Sequence, residues 1–458
     1  MSSSESAAPG VAAEELLAEL VRRGFAEAEV YEKRGRSRGY QRALDREATT
    51  VATEAGWSAR AGDARRSIFV AATGAPSSAV ALPDSSPHAL LLPEGPSGPR
   101  VVPWEEPEDL LAPLATEHEA NALFEGLERA LAAEIRGARL VAVTLSDGAS
   151  EAAIVSTRRV RATTRSRAAW LRIEAEASGR RLLFSAGERE ARRFRPEAIA
   201  RRLVDRFTAL APGDPSDHAH PPPAFVLSAP LMARLVEALS LLFLGRAAEA
   251  LLAAHLEADR RLAANAVTLV DDGRFAGTGA AGAGLLSAAA DGEGVPTRAV
   301  ELVAAGRFVQ PLCAWWEEAP HGAATSSGCS RRASWRDLPR RAPTHFYLAP
   351  GAASVNELVG EVADGVYLLE AEGAVELDPR TLAFAVPVSG FLLSAGRAVA
   401  PLGPRRLHGT VASLLRGVRA VARDLTFVPG DGQFGAPTVH ATGLELSGGG
   451  GLSPTPIR

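Results

Sequence analysis

The sequence holds only two cysteines, Cys313 and Cys329. That is too few for a disulfide framework, and free thiols in a reducing compartment are the simpler expectation. Lysine is nearly missing, with Lys33 the only one, so arginine carries the positive charge. The net charge of −4 gives no basis for nucleic-acid affinity. One local run, Arg158, Arg159, Arg161, Arg165 and Arg167, is basic, but it alternates with small and apolar residues and lacks interleaved aromatics. It reads as the solvated face of a sheet, not as an RNA-binding strip. No stretch approaches the roughly 20 apolar residues of a membrane span. Residues 1–10 lack a basic start followed by an apolar core, so no secretory signal is expected and the cytoplasm is the expected location.

What is present is globular composition, 46% hydrophobic and 23% charged, over 458 residues. A single core rarely grows that large, so two domains are expected. The break falls at 212–223, a stretch with two proline clusters that can be neither helix nor central strand. It also carries His218 and His220, an H-x-H pair with no third ligand beside it. The expected class is α+β. An N-terminal α+β domain with an antiparallel sheet occupies 1–215, and a Pro-rich linker occupies 216–224. A mostly β C-terminal domain occupies 225–458 and is entered through a long buried helix.

Local patterns support that division. Residues 11–23 carry an apolar helical stripe, with Gly24 as the stop. Strand-like runs follow at 28–33, 40–46, 49–59 and 67–72. Thr116 and Glu119 form a capping box for a helix, and strands are expected at 139–145, 152–161 and 168–177. Pro196 opens another helix. Past the linker, 230–256 is apolar on several sides and reads as one long buried helix. Residues 299–303 and 307–312 flank Gly306 as a hairpin, and 411–422 reads as a helix.

The most informative stretch is 291–348. Asp291, Glu293, Gly294, Pro296 and Thr297 make a tight turn. Ser326, Ser327 and Gly328 follow in a polar loop with Arg331 beside it, a set whose donors suit a carboxylate or a peptide end. The same residues resemble a family, the TldD/PmbA (TldE) metallopeptidase subunits. That family has a D-x-E-G-x-P-T turn, a strand pair, an S-T-G-N-like loop and an aromatic strand ending in Pro-Gly, here Phe346, Tyr347, Pro350 and Gly351. Gly365, Tyr367, Glu370, Ser389, Gly390, Phe391, Gly409, Asp424, Gly435, Pro437 and Thr438 continue the resemblance in order over most of 225–447.

The resemblance implies a zinc peptidase site with His-Glu-three residues-His on the long helix and a further cysteine near the C-terminus. This sequence departs from it. The corresponding segment of the helix, 235–243, offers Glu237 as its only ionisable group and no histidine, His255 and Glu257 lack a second histidine, and 424–437 has no cysteine. The resemblance therefore implies the metal-free PmbA/TldE branch. No metal or other cofactor is expected on this chain, and zinc is expected in a TldD-type partner. The partner is that subunit or a second copy, and the ligand is an extended peptide. A peptide-binding scaffold without proteolysis is the alternative. A third possibility is a hydrolase using Cys329 with His321 or His345. Asp271, Asp272, Asp291 and Glu293 could cluster around a hard cation, and read more simply as turn caps facing water.

Overall fold

The structure is a computed structural model that describes residues 11–43, 46–95, 108–211, 224–277, 284–318, 327–430 and 432–448. The N-terminal half runs α1 (Val11–Arg22), β1 (Glu27–Ala43), β2 (Arg46–Gly62), β3 (Ser67–Thr73), α2 (Glu117–Glu134), β4 (Arg139–Ser156), β5 (Arg161–Ala177), β6 (Arg180–Glu188) and α3 (Pro196–Ala209). Its strands form one antiparallel sheet in the order β3-β2-β1-β4-β5-β6. The Thr116–Glu119 capping box, the proline at the start of α3 and the left-handed Gly24 are all found where the sequence puts them.

The strands are longer than their apolar runs. Polar residues such as Arg34, Arg36 and Arg38 continue β1 instead of turning, because ladder pairing to β2 and β4 persists to Ala43. Residues 139–156 likewise form one strand, and β6 carried too little alternation to be expected. The two faces follow the two-residue period. Val30 and Tyr40 point to the helices, where α1, α2 and α3 bury Leu16, Leu20, Phe124, Leu127, Leu203 and Phe207. Glu29, Tyr31, Ser58 and Arg60 lie on the opposite face, toward the C-terminal half. Of the arginine run, Arg158, Arg159 and Arg161 are exposed and Arg165 is half-buried, as read, whereas Arg167 is buried in an ion pair with Asp147.

The C-terminal half begins with β7 (Phe225–Leu227), α4 (Ala229–Ser240) and α5 (Gly245–Ala253). It continues through β8 (Leu269–Asp272), β9 (Ala299–Ala304), β10 (Arg307–Phe308), α6 (Trp315–Glu318), β11 (Ser330–Arg331), β12 (Arg340–Arg341), β13 (His345–Leu348), α7 (Val355–Gly360), β14 (Asp364–Ala371), β15 (Glu376–Leu377), β16 (Ala383–Ser394), β17 (Arg397–Pro401) and β18 (Arg405–Thr410). It closes with α8 (Val411–Gly417), β19 (Val418–Val421), β20 (Thr426–Pro429), β21 (Gln433–Ala436), β22 (Val439–Ala441) and β23 (Glu445–Gly448). One sheet has the order β10-β9-β8-β13-β21-β20, and another contains β19-β22-β7-β14-β16-β18-β23. A single apolar core joins them around α4, with Leu231, Leu235, Leu239, Phe346, Leu368 and Val386 among its members.

Two expected helices are shorter than read. The segment 230–256 is not one helix. A 3-10 turn at Leu241–Phe243 ends α4, and Leu244 bridges to Leu312 through Leu312 N to Phe243 O (2.7 Å) and Gly245 N to Leu312 O (2.8 Å). Gly245 then takes φ +82°, a conformation that costs other residues dearly. The expected helix 411–422 ends at Gly417, where the chain passes against Thr442 and pairs with β22 as β19. Among the described residues no helix is long and apolar enough to cross a membrane.

Candidate functional site

The turn at 291–297 is built around the Asp291 carboxylate. It accepts hydrogen bonds from Glu293 N (2.9 Å), Val295 N (3.0 Å) and Ser330 N (3.0 Å). Gly294 supplies the left-handed residue at φ +79°, and a side chain there would strike Val160 of the N-terminal half. Thr297 is buried and donates its hydroxyl to Ala288 O. Pro296 is exposed at the rim. The expectation that Asp271, Asp272, Asp291 and Glu293 face water is overturned for Asp271 and Glu293, while Asp272 and Asp291 are half-buried. Glu293 is 0% exposed and Asp271 is 2% exposed, held by the Thr344 amide (2.7 Å) and hydroxyl (2.9 Å). Burial raises Asp271 to about 6, and burial with the neighbouring Glu293 charge raises Asp291 to about 7 despite its three amide donors.

Glu293 enters a buried ion network that joins the two halves. Arg60 of β2 binds Glu293 Oε1 (3.0 Å) and, in a forked contact, Glu29 of β1 (2.8 and 3.0 Å). Arg332 also binds Glu29, donates to Gly292 O (2.8 Å) and lies 4.6 Å from the Tyr31 ring centre. Burial pushes the Glu29 carboxyl up, but Arg332 and Arg60 outweigh it and hold it below the usual range. Among the described residues the Glu293 carboxyl pairs with Arg60, and burial leaves it raised. Two carboxylates and two guanidinium groups thus balance inside the protein. Glu29, Arg60 and Arg332 were not expected in this role. Glu29 and Arg60 sit on the polar face of their alternating strands and Arg332 follows the short strand β11, so the local sequence does not mark them.

The polar loop is packed into the protein. Ser326 lies outside the described residues, as do His218, His220, His321 and 216–223 of the expected linker. Ser327 is buried, donates its amide to Cys313 O (3.1 Å) and accepts the Cys313 amide at its hydroxyl (3.2 Å). Gly328, at φ +66°, lies against Pro296 O and Thr297, where no side chain fits. Arg331 donates to Pro343 O (2.9 Å). The loop therefore braces the 291–297 turn. Cys329 is 0% exposed, and burial holds its thiol far from the thiolate. His345 engages the Asp272 carbonyl at Nδ1 (2.9 Å) and the Leu286 amide at Nε2 (3.3 Å), and burial lowers it to about 3. No Cys–His nucleophile is assembled from this pair.

The third feature is the face of α4 packed on the β20–β21 hairpin. These are the two segments where the resemblance places zinc ligands, and the fold brings them together. Gly430 is so close to Glu237 that a Cβ added there would lie 2.2 Å from its Oε1. Glu237 is held by Arg234 (2.8 Å), which also donates to Pro429 O (2.8 Å). Leu235, Val236 and Leu239 of the same helix are buried in the core, while Glu237 stays partly exposed. A single carboxylate paired with a guanidinium does not fit a dication. Among the described residues, no three His, Cys, Asp or Glu side chains converge as a metal site.

An α+β half joined to a β-rich half through such a turn defines a class, and residues 224–448 match the PmbA/TldA metallopeptidase C-terminal domain. The chain belongs to the TldD/PmbA family. It is similar to a metalloprotease TldD homolog of Buchnera aphidicola, 25% identical over 181 residues, which is 39% of this chain. The match spans 35% of that relative's length. Its fold is that of TldE from Thermococcus kodakarensis, with TM-score 0.78 and 18% identity over 95% of this chain and 100% of the other. It is also that of a candidate modulator of a DNA gyrase from Thermotoga maritima, with TM-score 0.74 and 17% identity over 95% and 99%.

Proposed function

We propose that this chain is a PmbA/TldE-like subunit of a TldD/TldE-type metallopeptidase. In this reading it binds no catalytic metal and depends on a TldD-type partner for cleavage of unfolded or modified peptides. The observation that carries the reading is the α4–hairpin face. There Arg234 pairs with Glu237, and among the described residues no His, Cys, Asp or Glu joins Glu237 to hold a metal that would activate water. Burying apolar side chains also removes the penalty of unpaired polar ligands, which makes the face self-sufficient. An extended peptide would be held by strand addition at an open edge of the C-terminal sheets, with Ser327 and Gly328 bracing the nearby turn. The expected location of such an assembly is the cytoplasm.

The test is co-expression with a TldD-type subunit bearing His-Glu-x-x-x-His. The pair should co-purify, and a linear peptide should be cleaved by the pair and not by this chain alone. A chain that never associates with such a subunit, yet binds peptides, would support the scaffold reading instead.

A further inference from the structure

The helix side of the N-terminal sheet carries more arginine than acid along its middle. Arg34, Arg36 and Arg38 of β1 point to that side, as Val30 and Tyr40 do. Val30 lies under α1, and the Tyr40 hydroxyl donates to Ala115 O just before α2 (2.7 Å). A strip of sheet stays open between the two helices, and Arg36 is exposed in the middle of it. The register sets Glu151 and then Arg165 beside Arg34, Ala149 and then Arg167 beside Arg36, and Asp147 beside Arg38.

The carboxylates of this strip are already engaged. Arg34 pairs with Glu32 (2.7 Å), Arg165 with Glu151 (3.0 Å), and Arg167 with Asp147. Glu32 and Asp147 are buried beneath the guanidinium groups. Five arginines therefore face three carboxylates, and the two arginines left over are neighbours on one strand. Arg38 donates only to a backbone carbonyl, Ala115 O (3.2 Å), and Arg36 has no partner among the described residues. The cross-strand neighbours of Arg36 are Thr53 and Ala149, side chains too short to cover it.

We propose that this strip binds an acidic segment of a partner polypeptide, lying extended along β1. Alternate residues of a strand stand about 7 Å apart, so carboxylates on every second residue of an extended peptide repeat the spacing of Arg34, Arg36 and Arg38. Each guanidinium can take a carboxylate in forked geometry. Nucleic acid fits less well, because Trp57 of this face is buried and, among the described residues, the strip exposes no aromatic ring for a base to stack on. The strip lies on the side of the sheet turned away from the C-terminal half, and the proposal is independent of the peptidase reading.

Fluorescence anisotropy with the full chain at low ionic strength tests this. The probe is a labelled peptide of about twelve residues alternating glutamate and serine, long enough to span the strip. It should bind saturably, and more tightly than a peptide of the same composition with its glutamates in one block. Arg36→Glu breaks no contact among the described residues, so it should keep the wild-type circular dichroism and weaken binding about tenfold. Arg397→Glu makes the same change of net charge on exposed β17 and should leave binding unchanged. Wild type that does not bind saturably, equal binding of the block peptide, R36E that binds as wild type does, R397E that loses as much as R36E, or tighter binding of an oligothymidine of the same length would each overturn the proposal.

Discussion

Single residues carry the join between the two halves, and the sequence revealed only one side of it. Asp291, Glu293, Gly294, Pro296 and Thr297 stand out locally because a tight turn needs such residues in that order. Their partners Glu29, Arg60 and Arg332 are far away in the chain, and no local pattern links them. Removing one partner leaves a buried charge uncompensated. Arg60→Ala should therefore cost about 3–5 kcal/mol in denaturant unfolding. Asp291 gives a pH signature. Its folded pKa, about 7, is above its ordinary value of 3.8, so the folded state holds the extra proton between them and loses stability as pH rises through that window. Asp291→Asn cannot ionise. The stability of the variant relative to the wild type should rise between about pH 4 and pH 7, measured by urea titrations at several pH values.

At the level of elements, the sequence conveyed type better than extent. The capping box at Thr116 and the apolar stripes of α2 and α3 sit within one turn of the helix, so local chemistry set them. The long strands β1 and β4 continue through polar residues because neighbouring strands supply ladder hydrogen bonds, and that information is not local. The break after α4 is likewise imposed by Leu312, which captures Leu244. Two substitutions test that account. Gly245→Ala meets only the ends of the Arg341 and Glu317 side chains, which can move, so its cost is the left-handed backbone, about 1–2 kcal/mol. Leu235→Ala, at 1% exposure in the shared core, should cost about 2–5 kcal/mol. If thermal unfolding shows the two equally mild, α4 is not the packed centre of the C-terminal half.

For the whole molecule, the contrast between an α+β N-terminal region and a strand-rich C-terminal region was legible because changes of periodicity are visible along the chain. Less visible was how the halves meet. The face of β1 and β2 bearing Glu29, Tyr31 and Arg60 is covered by the C-terminal half, with Trp335 stacked where Gly56 leaves room. The candidate metal face was legible as a departure from a pattern, since histidines missing from α4 can be read directly. That Arg234 occupies Glu237 required the fold. The central claim is that this face holds no catalytic metal. Zinc quantification on the purified chain, after equilibration with zinc and removal of weakly bound ions, tests it most directly. The account predicts far less than one zinc per chain, unchanged by Glu237→Ala. One zinc per chain that E237A releases, together with chelator-sensitive peptide cleavage by the lone chain, would contradict it.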